Sequence, residues 1–288
     1  MNPLIHEANV PVYSGELNAC LEKVSRMGTR TGMNAVAFSG GVDSSLTAWL
    51  VKEVFGDKSV ACLGLSAALP DDQRTLAHRV ARHIGIPLEE IETLEGQKEG
   101  YVANAGQACF YCKSTLYATL DSLCQGMLER LDSETKVVLY NGTNLDDRAD
   151  ETRVGLKAAA NFKVQSPLDH LPKAAVRQLS REVGLPNWSF AASPCLRSRL
   201  QYGVEATPDR LARTERAESV VRRFLSLQPT DNLRVRTLEG DLAMIEVDAH
   251  RLGACTQALP AIRTSLTALG FYGVDLRPFR SGSLSRPG

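Results

Sequence analysis

The sequence predicts an α/β fold: a parallel sheet with helices on both faces, followed by a smaller α+β unit. Three observations predict it. Short apolar segments alternate with amphipathic ones, a glycine-rich turn joins the first such pair, and the alternation breaks over 183–209 in a stretch rich in Pro, Gly and Ser. The expected organisation is a first unit over 1–190, a linker over 191–207 and a second unit over 208–288.

The elements follow in order. "NAVAF" at 34–38 is short, apolar and bounded by small residues, as a buried strand should be, and Leu46, Trp49, Leu50 and Val54 then recur at helical spacing. "SVACLGLS" reads as a second buried strand. "DDQRTLAHRVARHIG" is a helix with Leu76, Val80 and Ile84 on one face, stopped by Gly85 and Pro87. "CKSTLYATLDSLCQGMLERL" is a longer helix and "KVVLYNGTN" another strand. In the second unit a helix runs from Pro208 to Leu225, "LRVRTLEGDLAMIEVD" holds two strands about a Gly-Asp turn, and a helix through Leu269 precedes the strand "GVDLRPF". Neither an internal repeat nor a low-complexity tract interrupts this order.

Ligands of such sheets sit at the carboxyl ends of the strands. Three of these ends carry small and polar residues: "SGGVDSS", "LSAALPDD" with Ser66, and "NGTNLDD" with Gly142, Thr143 and Asp146. At the first, the N–H groups that open a helix lack partners and favour an anion, which Gly40 and Gly41 allow to approach closely. A Walker motif would carry its lysine in the loop, but the nearest here is Lys52. Ser39, Gly40, Gly41, Asp43, Ser44 and Ser45 instead resemble the PP-loop of ATP pyrophosphatases, adenine nucleotide α-hydrolase-like proteins that cleave ATP between the α and β phosphates. Without a ligand the same residues would make an ordinary capped turn.

Composition narrows the classes. With 33 basic and 33 acidic residues the net charge is zero, which argues against nucleic-acid binding through bulk charge. Through Cys195 there are 19 basic against 23 acidic residues and beyond it 14 against 10, and all 14 are arginine. No apolar run approaches the roughly 20 residues of a membrane span, and the first residues lack a secretory pattern. A cytoplasmic protein without membrane attachment is expected.

Seven cysteines in such a chain do not suggest a disulfide framework. Cys20, Cys62, Cys124 and Cys255 lie in apolar or helical surroundings and read as small buried hydrophobes. Cys109 and Cys112 form "ACFYCKS" at a helix start, where thiol pKa values are expected to fall, and Cys195 lies far away in "SPCLRSR". Spacing leaves three readings open: a 4Fe-4S cluster with one iron lacking a protein ligand, zinc with His170 as fourth ligand, and unliganded thiols.

From about Ala35 to Ser285 the chain resembles the LarE-type ATP-dependent sulfur transferases of nickel-pincer nucleotide synthesis. The resemblance is carried by "FSGGVDSS", "CFYCKSTLY", "NGTNLDDRADETRVGLKAA", "SPLDHLPKAAVRQLSREVGLPNW", "SPCLRSRLQYG", "LRVRTLEGDLAMIEV" and "LGFYGVDLRPFRSGS". It implies ATP with Mg2+, adenylation of a pyridinium dicarboxylate mononucleotide, and attack by sulfur to give a thiocarboxylate and AMP. In this reading Cys195 and Asp43 are catalytic. Some members sacrifice the cysteine matching Cys195, whereas others hold a 4Fe-4S cluster on three cysteines, here Cys109, Cys112 and Cys195, and recharge it from sulfide or a sulfur donor. The full trio favours the second route.

Arg234 and Arg236 alternate on one strand face and match family arginines for the nucleotide acceptor's phosphate, with Arg280 and Arg153 as further candidates. The insertion after "NGTNLDD" makes Arg153 the weakest of these matches. The bland alternative for Arg234 and Arg236 is a solvated face paired with Glu239 or Glu246. A homo-oligomer is expected, formed through the C-terminal unit. Rival classes are a tRNA thiolase, which the charge balance disfavours, an amide-forming synthetase, and a nonenzymatic nucleotide sensor.

Overall fold

A computed structural model describes residues 13–129, 136–149 and 155–280 of the chain. The first unit runs α1 (Gly15–Met27), β1 (Met33–Phe38), α2 (Val42–Phe55), β2 (Ser59–Leu65), α3 (Asp71–Ile84) and β3 (Leu88–Glu92). It continues through α4 (Glu99–Val102), α5 (Ala108–Glu129), β4 (Val137–Tyr140), α6 (Leu145–Ala149), α7 (Gly155–Asn161) and α8 (Lys173–Glu182). Its four strands are parallel in the order β3-β2-β1-β4. The central β1 is apolar on both faces because helices cover both. Leu46, Leu50 and Val51 of α2 lie in the core on one side, and Leu116, Leu120 and Cys124 of α5 in the core on the other.

From β1 the chain steps outward to β2 and β3, then returns to place β4 on the opposite side of β1. The carboxyl ends of β1 and β4 are therefore neighbours at the point where the strand order reverses, the usual ligand position in such sheets. Helix α3 ends as expected at Gly85, left-handed at φ 74°, whose N–H donates to the carbonyls of Ala81 and Arg82. Six elements of the first unit stand outside the sequence expectation: α1, β3, α4, α6, α7 and α8. Strand β3, "LEEIE", buries only Ile91 because it is the sheet's edge, so its pattern is mostly polar.

The second unit comprises α9 (Pro208–Phe224), β5 (Leu233–Leu238), β6 (Leu242–Val247), α10 (Leu252–Ala268) and β7 (Gly273–Pro278). β5 and β6 form the antiparallel pair about Gly240, and β7 joins β6 in parallel. Leu233, Val235, Ile245 and Val247 pack with Val221 of α9 and Ile262 and Leu266 of α10. Arg234 and Arg236 alternate with these residues, yet they are also buried, because the segment after Asn187 covers their face. A smaller apolar cluster of Ala68, Tyr101, Ala108, Leu196, Leu200 and Leu211 joins the two units.

Candidate active site

The turn between β1 and α2 is built to keep backbone donors open. Gly41 is the N-cap residue of α2, and no side chain caps the helix. Gly40 has φ 69°, and a Cβ there would stand 2.8 Å from the Ala77 backbone, so only glycine fits. The hydroxyls of Ser44 and Ser45 donate back to the Gly41 carbonyl at 3.1 and 2.8 Å. Ser45 is fully buried and braces the turn, whereas Ser39 is exposed at its mouth with Oγ 3.1 Å from that of Ser44.

The loop after β4 closes on this turn. Gly142 lies so near the start of α2 that a Cβ would meet the Ser44 nitrogen at 2.6 Å. The Thr143 N–H donates to Asn141 Oδ1 at 3.0 Å, and Asn144 Nδ2 donates to Asp43 Oδ1 at 3.1 Å. The other Asp43 oxygen accepts from Lys173 at the start of α8. A Walker loop takes its cation from its own sequence, whereas here Lys173 arrives from 130 residues away. "LPKAAV", a lysine after a proline at a helix start, is the only local trace of it. Asp146 is exposed and accepts the Lys173 N–H at 2.9 Å, so it anchors that lysine's backbone. Ser66 caps its own loop, accepting from the Ala68 N–H at 3.3 Å.

That loop also carries the link to the thiols. The Leu196 N–H donates to the Ala68 carbonyl at 2.8 Å and fixes the segment bearing Cys195 beside the end of β2. Cys109 and Cys195 are exposed and Cys112 half-buried, while Cys20, Cys62, Cys124 and Cys255 are fully buried. Arg197 ties the thiol region together. Its guanidinium donates to Cys109 Sγ at 2.9 Å and to Asn104 Oδ1 at 2.8 Å. Burial works against the Arg197 charge, but Cys195, Cys109 and Tyr101 outweigh it and the guanidinium holds its proton more firmly than usual.

The helix start does not lower Cys112 as the sequence suggested. Burial pushes its thiol up to about 12, with only partial opposition from Lys113, because removing a thiolate from water outweighs the helix dipole. Among the described residues no group of three or more His, Cys, Asp and Glu side chains is arranged to hold a single metal ion. His170 lies instead within 2.9 Å of Lys23, on the Asp169 ion pair.

Behind Cys195 lies a buried network of arginines. Arg199, 1% exposed, makes a two-bond pair with Glu218 at 2.9 and 3.2 Å and donates to the carbonyls of Pro194 and Cys195. Glu246, fully buried, accepts from Arg236 at 2.9 Å and from Arg277 at 2.8 and 2.6 Å. Arg234 donates only to the carbonyls of Leu233 and Ala192 and stacks 5.4 Å from the Phe279 ring. Burial, with Arg199 next in effect, holds its guanidinium down to about 10. Arg199, Arg236 and Arg277 thus share two glutamates while Arg234 has carbonyl and ring partners, a grouping of guanidinium groups that suits an anion. Burial excludes a solvated face, while the pairing half of that alternative holds, since Arg236 pairs with Glu246. Arg280 is exposed, and Arg153 lies outside the described residues. Sequence reasoning missed Asn144, Lys173, Asn187, Arg197, Arg199, Glu218 and Arg277.

Comparison with known proteins places this geometry. The NAD synthase family profile matches residues 17–110. An uncharacterized protein of Synechocystis sp. is 36% identical over 257 residues, covering 87% of this chain and 91% of that one. The pyridinium-3,5-bisthiocarboxylic acid mononucleotide synthase of Lactiplantibacillus plantarum is 30% identical over 256 residues, 87% of this chain and 88% of that one. A glutamine-hydrolyzing GMP synthase of Rhodopseudomonas palustris is 28% identical over 180 residues, 58% of this chain and 33% of that one. No helix among the described residues is long and apolar enough to cross a membrane. A lysine-completed PP-loop, a thiol-bearing segment and a buried arginine network, in a chain alike over its length to the synthase, lead to one conclusion: the protein belongs to the LarE-type family of PP-loop, ATP-dependent sulfur transferases.

Proposed function

We propose that the enzyme adenylates a carboxylate of a pyridinium dicarboxylate mononucleotide and converts it to a thiocarboxylate, a step of nickel-pincer nucleotide synthesis. The observation that carries this reading is that one segment, 192–199, is gripped by the arginine network and carries Cys195 next to the loop after β2, whose Ala68 carbonyl accepts the Leu196 N–H. A carboxylate oxygen of the acceptor attacks the α-phosphorus of ATP, and pyrophosphate leaves with the electrons of the broken P–O bond. Sulfur at the sulfide level then attacks the acyl carbon, and AMP departs with the original carboxylate oxygen. The sequence is redox-neutral, and activation is needed because a carboxylate is a poor electrophile.

Each group has a place in this scheme. The uncapped N–H groups after Gly41 receive the β and γ phosphates, and Lys173 offsets their charge. Asp43 supplies an oxygen for the Mg2+ that accompanies ATP. Arg234 and Arg236 hold the acceptor's phosphate or second carboxylate, with Arg280 at the rim. The unit from 208 onward carries the acceptor grip. Tyr272, 84% exposed just before β7, and the exposed Leu242 at the start of β6 support contact between copies of the chain.

For sulfur delivery we favour a 4Fe-4S cluster on Cys109, Cys112 and Cys195. The fit is chemical: these are the three thiols that are not fully buried, Arg197 from the segment of Cys195 donates to Cys109 Sγ, and cluster ligands bind different irons, so they need not converge on one ion. When bound, such a cluster supplies exchangeable sulfur at the iron that lacks a protein ligand. The chain's own part is to hold the thiols and to keep a guanidinium beside them. Anaerobic purification with iron and sulfide analysis tests this. Loss of any one of the three cysteines is expected to abolish the visible absorption while ATP binding survives. Dehydroalanine at position 195 after turnover with sulfide, a loss of about 34 Da as hydrogen sulfide, would establish the sacrificial route instead.

A further inference from the structure

We infer that Asn187 is a positioning residue for the ATP phosphates, acting through the peptide that joins Gly40 to Gly41. Asn187 is 1% exposed in the segment after α8, which Arg177 pins on the far side by donating to the carbonyls of Trp188 and Phe190 at 2.6 and 2.8 Å. Its Nδ2 donates to the Gly40 carbonyl at 2.7 Å and to Ser45 Oγ at 3.0 Å. Both partners need a donor. A carbonyl can only accept, and the Ser45 proton is already given to the Gly41 carbonyl at 2.8 Å. The two hydrogens of one amide satisfy both, and this fixes which way the amide faces.

The orientation has a cost. Asn187 Oδ1 is left buried without a hydrogen-bond partner, and buried polar atoms of that kind are uncommon. What the arrangement secures is the direction of one peptide plane. In a trans peptide the carbonyl and the following N–H point opposite ways, so holding the Gly40 oxygen inward toward Asn187 turns the Gly41 N–H outward, to the mouth of the loop. The contact of that N–H with Ser39 Oγ is long, 3.4 Å, and a phosphate oxygen can replace it. Gly40 cannot hold the plane itself, since at φ 69° it has no side chain to lock it.

The inference rests on the nucleotide reading of the turn, and the test separates the two. ATP, inorganic pyrophosphate and AMP are titrated calorimetrically into the native enzyme, Asn187→Ala and Asn187→Asp, with thermal unfolding of each recorded. Asn187→Asp keeps the size and removes the donor, so it carries the same expectation if the alanine variant is unstable. Affinity for ATP and pyrophosphate is expected to fall about tenfold, the equivalent of about 1.4 kcal/mol, while AMP binding stays within about twofold. A merely structural role would weaken all three ligands together and overturn the inference, as would unchanged pyrophosphate affinity in a folded variant. Failure of the native enzyme to bind ATP and pyrophosphate would instead overturn the nucleotide reading itself.

Discussion

Replacing Arg234 by methionine separates anion recognition from scaffolding. The side chain is 5% exposed, its guanidinium is held down to about 10 by burial and by the Arg199 and Arg236 cations, and none of its hydrogen bonds goes to a carboxylate. At about 1.4 kcal/mol per tenfold, this displacement from 12.5 corresponds to a penalty of about 3 kcal/mol on the charged form. The sign follows from linkage. The folded-state pKa lies below the unfolded value, so the penalty is present in full at neutral pH and lifts only as pH rises through about 10. Against it stand two hydrogen bonds from a charged donor to neutral carbonyls, together worth about 3 kcal/mol at the lower end of the range for such bonds. The terms nearly cancel. Arg234→Met is therefore expected to change unfolding free energy by no more than about 1 kcal/mol, or about 2 to 4 °C in Tm. Loss of a buried charge-assisted contact to the acceptor should nonetheless weaken acceptor binding at least tenfold. Denaturant unfolding gives the first quantity and calorimetric titration of the dicarboxylate mononucleotide the second. A variant that loses about 3 kcal/mol of stability and binds the acceptor normally would refute the reasoning, because Arg234 would then be a structural cation.

Glu246→Ala should behave in the opposite way: the Arg236 and Arg277 guanidinium groups lose the buried carboxylate they share, a change expected to cost about 3 to 5 kcal/mol, read as a fall in the denaturation midpoint. Gly142→Ala places a methyl group 2.6 Å from the Ser44 nitrogen, so the β4 loop and α2 must separate; about 1 to 3 kcal/mol of stability and most acceptor-dependent pyrophosphate release should be lost, measured by unfolding and a pyrophosphate assay.

By itself the sequence determined the parallel sheet, the glycine turn between β1 and α2, the split between four core cysteines and three others, and the shared face of Arg234 and Arg236. These depend on periodicity and turn chemistry, which act over a few residues and can be read locally. Of the elements outside the sequence expectation, β3 has a weak local pattern because an edge strand is half solvated, whereas α8 is short but plainly amphipathic, with Val176, Leu179 and Ser180 on its buried face. Only the tertiary structure decided the partners. Lys173 reaches Asp43 across 130 positions and Asn187 reaches Gly40 across 147, and nothing in the composition of either segment announces the other. The same holds for burial. Arg234 and Arg236 would lie on a solvated face of an isolated hairpin, and Cys112 would be an ordinary helix-start thiol, until the segment 187–199 folds over one and the seam between the units closes on the other. Charge state and ligand preference follow from how much water is removed around a group, and that is set by packing between distant parts of the chain.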